Sequence, residues 1–188
     1  MKYILFFLLL PLVSAAQTKI RSQSSSSVYV NFTNMPAITN TTIETTVYRD
    51  TVKAAEFGLS KELNIEFWST VTTALLTVPA ATIKFKFGTD SLVCLNAITL
   101  GLNQSDKLMG MKVKVANLND GSSQYVMSSI VQGGSNVLLA TSSTSVDAYK
   151  VMTQATSGMD IPMSITIRYS IALAGTTITP LYCKRKID

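Results

Sequence analysis

The segment Thr82-Ile83-Lys84-Phe85-Lys86-Phe87-Gly88 alternates strictly: Ile83, Phe85 and Phe87 fall on one side, Lys84 and Lys86 on the other. Successive side chains of an extended strand leave opposite faces, so this pattern buries one face and wets the other. The same period returns in Met111, Val113 and Val115 against Lys112 and Lys114. It returns again in Ile165, Ile167, Tyr169 and Ile171 against Ser164, Thr166, Arg168 and Ser170, and in Leu63, Ile65 and Phe67 against Asn64, Glu66 and Trp68. Weaker alternation marks Thr41 to Tyr48, Leu92 to Leu102, Gln124 to Val131, Val137 to Ala140 and Ala148 to Gln154. Helix signal is confined to the stretch from Asp50 to Leu63, where one or two turns are expected before Gly58 ends them.

Turn chemistry separates these runs. Asn119-Asp120-Gly121 reads as a hairpin turn, because Asp-Gly readily takes positive φ. Gln132 to Asn136 and the surroundings of Gly158 read the same way. Pro79 and Pro180 are expected at strand edges or breaks, since proline cannot donate to a ladder. Roughly nine short strands at hairpin spacing predict an all-β, two-sheet β-sandwich of Ig-like or jelly-roll topology over residues 28–188.

The front of the chain is different. Lys2 precedes an apolar run from Ile4 to Val13, and Ser14-Ala15-Ala16 follows it. That order reads as a secretory signal peptide over 1–16, with Gln17 (or Ala16) as the mature start and the cell surface or the exterior as destination. Residues 17–27, ending in four serines, can bury almost nothing and are expected to form a flexible arm. Val28, Val30 and Phe32 then alternate with Tyr29 and Asn31. Such an arm can add as a strand to a neighbour's open sheet, with Ile20, Val28, Val30 and Phe32 as its assembly residues. The other reading, favoured for Val28 to Phe32, keeps that segment as the domain's own first strand.

Two cysteines, Cys94 and Cys183, occur in this exported chain. An even count in an oxidising compartment predicts a disulfide between them. It would close a loop of about 90 residues, worth up to about 4.6 kcal/mol in the chain-entropy model. Two buried thiols are the alternative.

The chain has no histidine, which removes the usual general base and the commonest zinc ligand together. No Cys-x-x-Cys pair and no Asp-x-Asp-x-Asp loop occurs, so no metal and no cofactor is expected. Pairs such as Glu44 with Asp50, or Glu62 with Glu66, are of the kind glycosidases use, but solvated strand-end charges are their expected role. The protein is therefore expected not to be an enzyme. Net charge is a modest +5. Its tightest cluster, Lys184-Arg185-Lys186, reads as a solvated tail, so no nucleic-acid partner is expected. Three glycosylation sequons, at Asn31, Asn40 and Asn103, match what chance gives at this composition.

A signal peptide, an N-terminal arm, an Ig-like β domain and no catalytic set together resemble the chaperone–usher fimbrial subunits. Ala148 to Thr156, AYKVMTQAT, is similar to a strand of alpha-type colonisation-factor pilins, and IPMSITI follows in the same style. Gly175 stands fourteen residues from the C-terminus, counted inclusively, as in many pilins, but the penultimate residue is Ile187 and the nearest tyrosine is Tyr182. The resemblance implies a structural or adhesive fimbrial subunit assembling with copies of itself or related subunits by donor-strand exchange. A periplasmic chaperone, an outer-membrane usher and a host receptor are the partners it implies. The alternatives are a secreted β-sandwich binding carbohydrate, lipid or a receptor, and a jelly-roll virion coat protein. An exposed shelf bearing Trp68 or Tyr125 would favour carbohydrate.

Overall fold

The computed structural model describes residues 27–31, 35–74, 76–77, 79–118, 121–132, 145–156 and 158–188. The expected signal segment, most of the expected arm including Ile20, Phe32, the turn expected at Asn119-Asp120 and the strand expected at Val137 to Ala140 lie outside the described residues. The described residues form eleven strands: β1 (Ser27–Asn31), β2 (Ile38–Thr39), β3 (Thr45–Val52), β4 (Glu62–Thr72), β5 (Ala80–Phe87), β6 (Asp90–Thr99), β7 (Lys107–Asn117), β8 (Ser123–Gln132), β9 (Ser145–Thr153), β10 (Ile161–Tyr169) and β11 (Thr177–Ile187). All pair antiparallel. One sheet runs β1-β11-β4-β7-β8-β9 with β2 also on β11, and the other runs β3-β10-β5-β6. We call these sheet A and sheet B.

The two sheets pack face to face as a β-sandwich. The alternating residues supply both inner faces: Leu63, Ile65 and Phe67 on β4, Met111, Val113 and Val115 on β7, Ile83, Phe85 and Phe87 on β5, and Ile165, Ile167 and Tyr169 on β10 are all buried. Each such side chain contributes roughly 1.5–3 kcal/mol when removed from water. Phe57, in the loop after β3, closes one end of the core and meets Phe87 edge to face, with ring centroids 5.9 Å apart.

The segment expected to hold helical turns does not. β3 continues to Val52, and the chain then makes two isolated turns, in which Glu56 N–H donates to Lys53 O at 2.9 Å and Lys61 N–H donates to Gly58 O at 3.1 Å. Two strong pulls override the local helix signal: Val52 is wanted in the core, and so is Phe57.

The basic tail is also not a tail. Lys184-Arg185-Lys186 lies within β11, which pairs β4 on one side and β1 and β2 on the other. Arg185 takes an inner position and is only 2 % exposed. Its Nη1 donates to Thr51 O at 3.0 Å, its Nη2 lies 3.2 Å from Glu56, and its Nε lies 3.3 Å from Asp50. The guanidinium also stacks on the ring of Tyr29, 4.1 Å from the centroid, and the Tyr29 hydroxyl donates to Glu56 at 2.9 Å. β1 is thus tied to the sandwich of its own chain by ladder bonds and by this buried charge.

Cys94 and Cys183 are both buried free thiols, so the expected disulfide is absent. The topology gives the reason. Cys183 on β11 packs near Tyr48 of β3, whereas Cys94 on β6 lies beside Ser128 of β8. In sheet A, β11 and β8 are separated by β4 and β7. Three strand spacings of ~4.8 Å put the two cysteine regions ~14 Å apart, and a disulfide needs Cα atoms within ~7 Å. Burial pushes both thiols up, so neither is a ready nucleophile.

Candidate functional site

The outward residues of sheet A form registered rows. Glu62, Ala116, Tyr125 and Val151 make one row across β4, β7, β8 and β9. Asn64, Lys114, Met127 and Tyr149 make the next, and Glu66, Lys112, Ser129 and Asp147 the third. Twist of the sheet bends these rows into a trough of about 580 Å³ lined by Asn64, Glu66, Lys112, Lys114, Tyr125 and Tyr149, among others.

The trough has an aromatic shelf at one end. Tyr125 and Tyr149 stack across β8 and β9 with ring centroids 6.1 Å apart and planes 29° apart. Tyr149 is 75 % exposed, and Met127 and Val151 beside the pair are exposed too. Water-facing aromatic and aliphatic surface on a sheet costs free energy unless something covers it. The walls are polar and charge-balanced. Lys114 is paired with Glu62 at 2.8 Å, and Glu66 and Asp147 stand at opposite ends of the third row, opposed by Lys112.

Trp68 lies further along the same face. Its ring covers Gly110, where an added Cβ would sit 2.8 Å from the indole. Only glycine leaves room for the indole, which here acts as a cover for the sheet and stands outside the trough lining.

The carboxylates singled out in the sequence are dispersed. Glu62 and Glu66 share the outer face of β4 but are four residues apart, ~13 Å along a strand. Glu44 lies on the outer face of sheet B, where Lys84 Nζ approaches it at 2.7 Å, Lys86 Nζ at 2.6 Å and Thr166 Oγ1 at 3.0 Å. These hydrogen bonds, that of Lys84 foremost and that of Lys86 next, outweigh burial and hold its carboxyl at about 2. Asp50 lies on the inner side with Arg185, so Glu44 and Asp50 do not meet. Glu66 and Asp147 both line the trough, but three strand spacings, ~14 Å, part their backbones. Among the described residues no group of three or more His, Cys, Asp or Glu is placed to hold a metal ion.

Of the residues expected to serve assembly, Val28 and Val30 pair opposite Lys186 and Lys184 of β11. Of the sequons, Asn31 ends β1, while Asn40 and Asn103 occupy turns with φ of 46° and 50°. Tyr149 and Asp147 were not singled out in the sequence as site residues. The alternation of β9 marks them as outward, but only the pairing of β9 with β8 brings them to Tyr125 and Ser129. The chain matches no protein-family model, and no curated protein matches it.

Proposed function

We propose that the protein is an exported, non-catalytic adhesive β-sandwich that binds a saccharide chain in the trough on sheet A. The observation that carries this reading is the exposed Tyr125–Tyr149 stack flanked by Asn64, Lys114, Glu66 and Asp147. A pyranose ring has an apolar C–H face and an equatorial rim of hydroxyls. The tyrosines offer a flat apolar surface to the first, and the amide, ammonium and carboxylate groups offer donors and acceptors to the second.

Affinity electrophoresis in gels containing neutral polysaccharides tests the reading. Migration is expected to be retarded by at least one polysaccharide, and Tyr149→Ala is expected to weaken that binding about tenfold, or 1.4 kcal/mol. Unchanged retardation in a Tyr125→Ala/Tyr149→Ala variant, with the fold intact, would remove the trough from consideration.

A second reading, a fimbrial subunit assembling through its N-terminal segment, is favoured by the position of β1. Among the described residues it occupies an edge of sheet A and pairs only β11. The same main-chain bonds would form equally well with β11 of a second copy, as in strand addition. Light scattering on the mature chain and on a chain lacking residues 17–31 distinguishes the two. Loss of polymers on deletion supports assembly; identical monomers in both eliminate it.

A further inference from the structure

The two outer faces of the sandwich differ in charge. On sheet A, Lys112, Lys114, Lys184 and Lys186 are matched by Glu62, Glu66, Asp147 and Asp188. On sheet B, Glu44 is the one described carboxylate that Arg49, Lys84, Lys86 and Arg168 share their outer face with. The described residues hold thirteen Lys and Arg and ten Asp and Glu. Their net charge of +3 is therefore the net charge of this one face.

The arrangement is ordered. Arg49, Ser164, Lys86 and Ser91 form one row across β3, β10, β5 and β6; Thr46, Thr166, Lys84 and Val93 form the next; Arg168 and Thr82 follow. The floor between the cations is thus made of hydroxyls. Glu44 holds the Lys84 and Lys86 ammonium groups side by side, and each ammonium keeps further donors free. Arg49 and Arg168 are exposed, and neither is ion-paired among the described residues.

We propose that the outer face of sheet B is a second binding surface, and that its ligand is an acidic polysaccharide. Two or more anionic groups on one chain would meet Arg49, Lys86, Lys84 and Arg168, while Thr46, Thr82, Ser91 and Ser164 meet sugar hydroxyls. A nucleic acid fits less well, because among the described residues the face carries no aromatic side chain on which a base could stack. A bilayer fits less well too: the exposed apolar side chains there, Ile43, Val93 and Pro162 among them, lie on separate elements, and an interfacial element needs a continuous apolar face.

The test is chromatography of the mature chain on immobilised heparin, with the eluting salt concentration as readout. Wild-type protein is expected to be retained and to elute earlier as salt screens the contacts. Arg49→Ser/Arg168→Ser, which replaces two exposed side chains, is expected to bind about tenfold more weakly in solution titration. Glu44→Gln releases two ammonium groups and is expected to elute later than wild type. The proposal is overturned if the double arginine variant elutes with wild type while its urea midpoint is unchanged. It is also overturned if duplex DNA, or vesicles of phosphatidylglycerol, bind as tightly as heparin and respond to the same variants, since the ligand class would then be wrong.

Discussion

Arg185 and Glu44 show how single charges are held in this sandwich, and they do it in opposite settings. Arg185 is enclosed between β11, β3 and the ring of Tyr29, with Asp50 and Glu56 as counter-charges. Removing a partner from a buried pair leaves an uncompensated charge, costing ~3–5 kcal/mol. Asp50 and Glu56 keep some solvent contact, so Arg185→Leu is expected to cost about 3 kcal/mol in urea unfolding. Arg185→Lys should recover little, since an ammonium cannot reproduce the planar fork or the stacking on Tyr29. A loss below about 1 kcal/mol for the leucine variant would mean that the network holds little of the fold. Glu44 sits at the surface, with a folded carboxyl near 2 against an ordinary 4.5. A lowered pKa stabilises the fold above the unfolded value and loses that contribution as pH falls through the folded one. Glu56 moves the same way: burial opposes ionisation, but the Lys53 amide, the Tyr29 hydroxyl and Arg185 outweigh it. Stability should therefore be level from about pH 5 to 8 and fall between pH 4.5 and 2, with about 2 kcal/mol of that fall absent in Glu44→Gln. Urea midpoints across this range check it, and an unaltered acid limb in the variant would count against the Lys84–Glu44–Lys86 clamp.

At the scale of the strand, the hairpin joining β5 to β6 makes the most local demand. Its two loop residues are Gly88 and Thr89, and Gly88 adopts a φ of 62°. A Cβ there would overlap Gln154 Oε1, the atom that accepts the Thr89 amide at 3.0 Å. Gly88→Ala therefore meets both left-handed strain and a clash, and should lower stability by about 2–3 kcal/mol in thermal or urea unfolding. A change within 0.5 kcal/mol would show that the loop can refold at little expense. Strands β4, β5, β7 and β10 were legible in the sequence because nothing interrupts their alternation. β11 was not, for two physical reasons. Its inner position 185 carries an arginine, which pattern reading assigns to solvent. Its register also shifts between Pro180 and Tyr182, so Ile178 and Cys183 reach the same face from opposite parities. The paired cysteines failed for a related reason: a spacing in sequence does not say which strands lie between them. The trough was half legible. Asn64, Glu66, Lys112 and Lys114 declare a wet face, and Tyr125 a shelf residue, but Tyr149 arrives through strand pairing that no local pattern encodes.

Across the whole molecule, the core separates two surfaces of different chemistry. Sheet A presents a charge-balanced trough with stacked tyrosines, and sheet B a cationic plane of hydroxyls. Packed sheets lie ~10 Å apart, and the outward side chains of each extend further still. Changes at sites separated by more than ~7–10 Å with no shared partners act independently. No described hydrogen bond or ion pair links Tyr149 to Arg49 or Arg168. Tyr149→Ala should then weaken retardation by a neutral polysaccharide and leave heparin elution unchanged. Arg49→Ser/Arg168→Ser should do the reverse, and the triple variant should show both losses at their separate sizes. Titration of one ligand in the presence of saturating amounts of the other should leave each affinity within about twofold, a coupling under ~0.4 kcal/mol. Mutual exclusion of the two ligands would instead place them on one surface. In that case the trough lysines Lys112 and Lys114, rather than Arg49 and Arg168, would be the cations to change next.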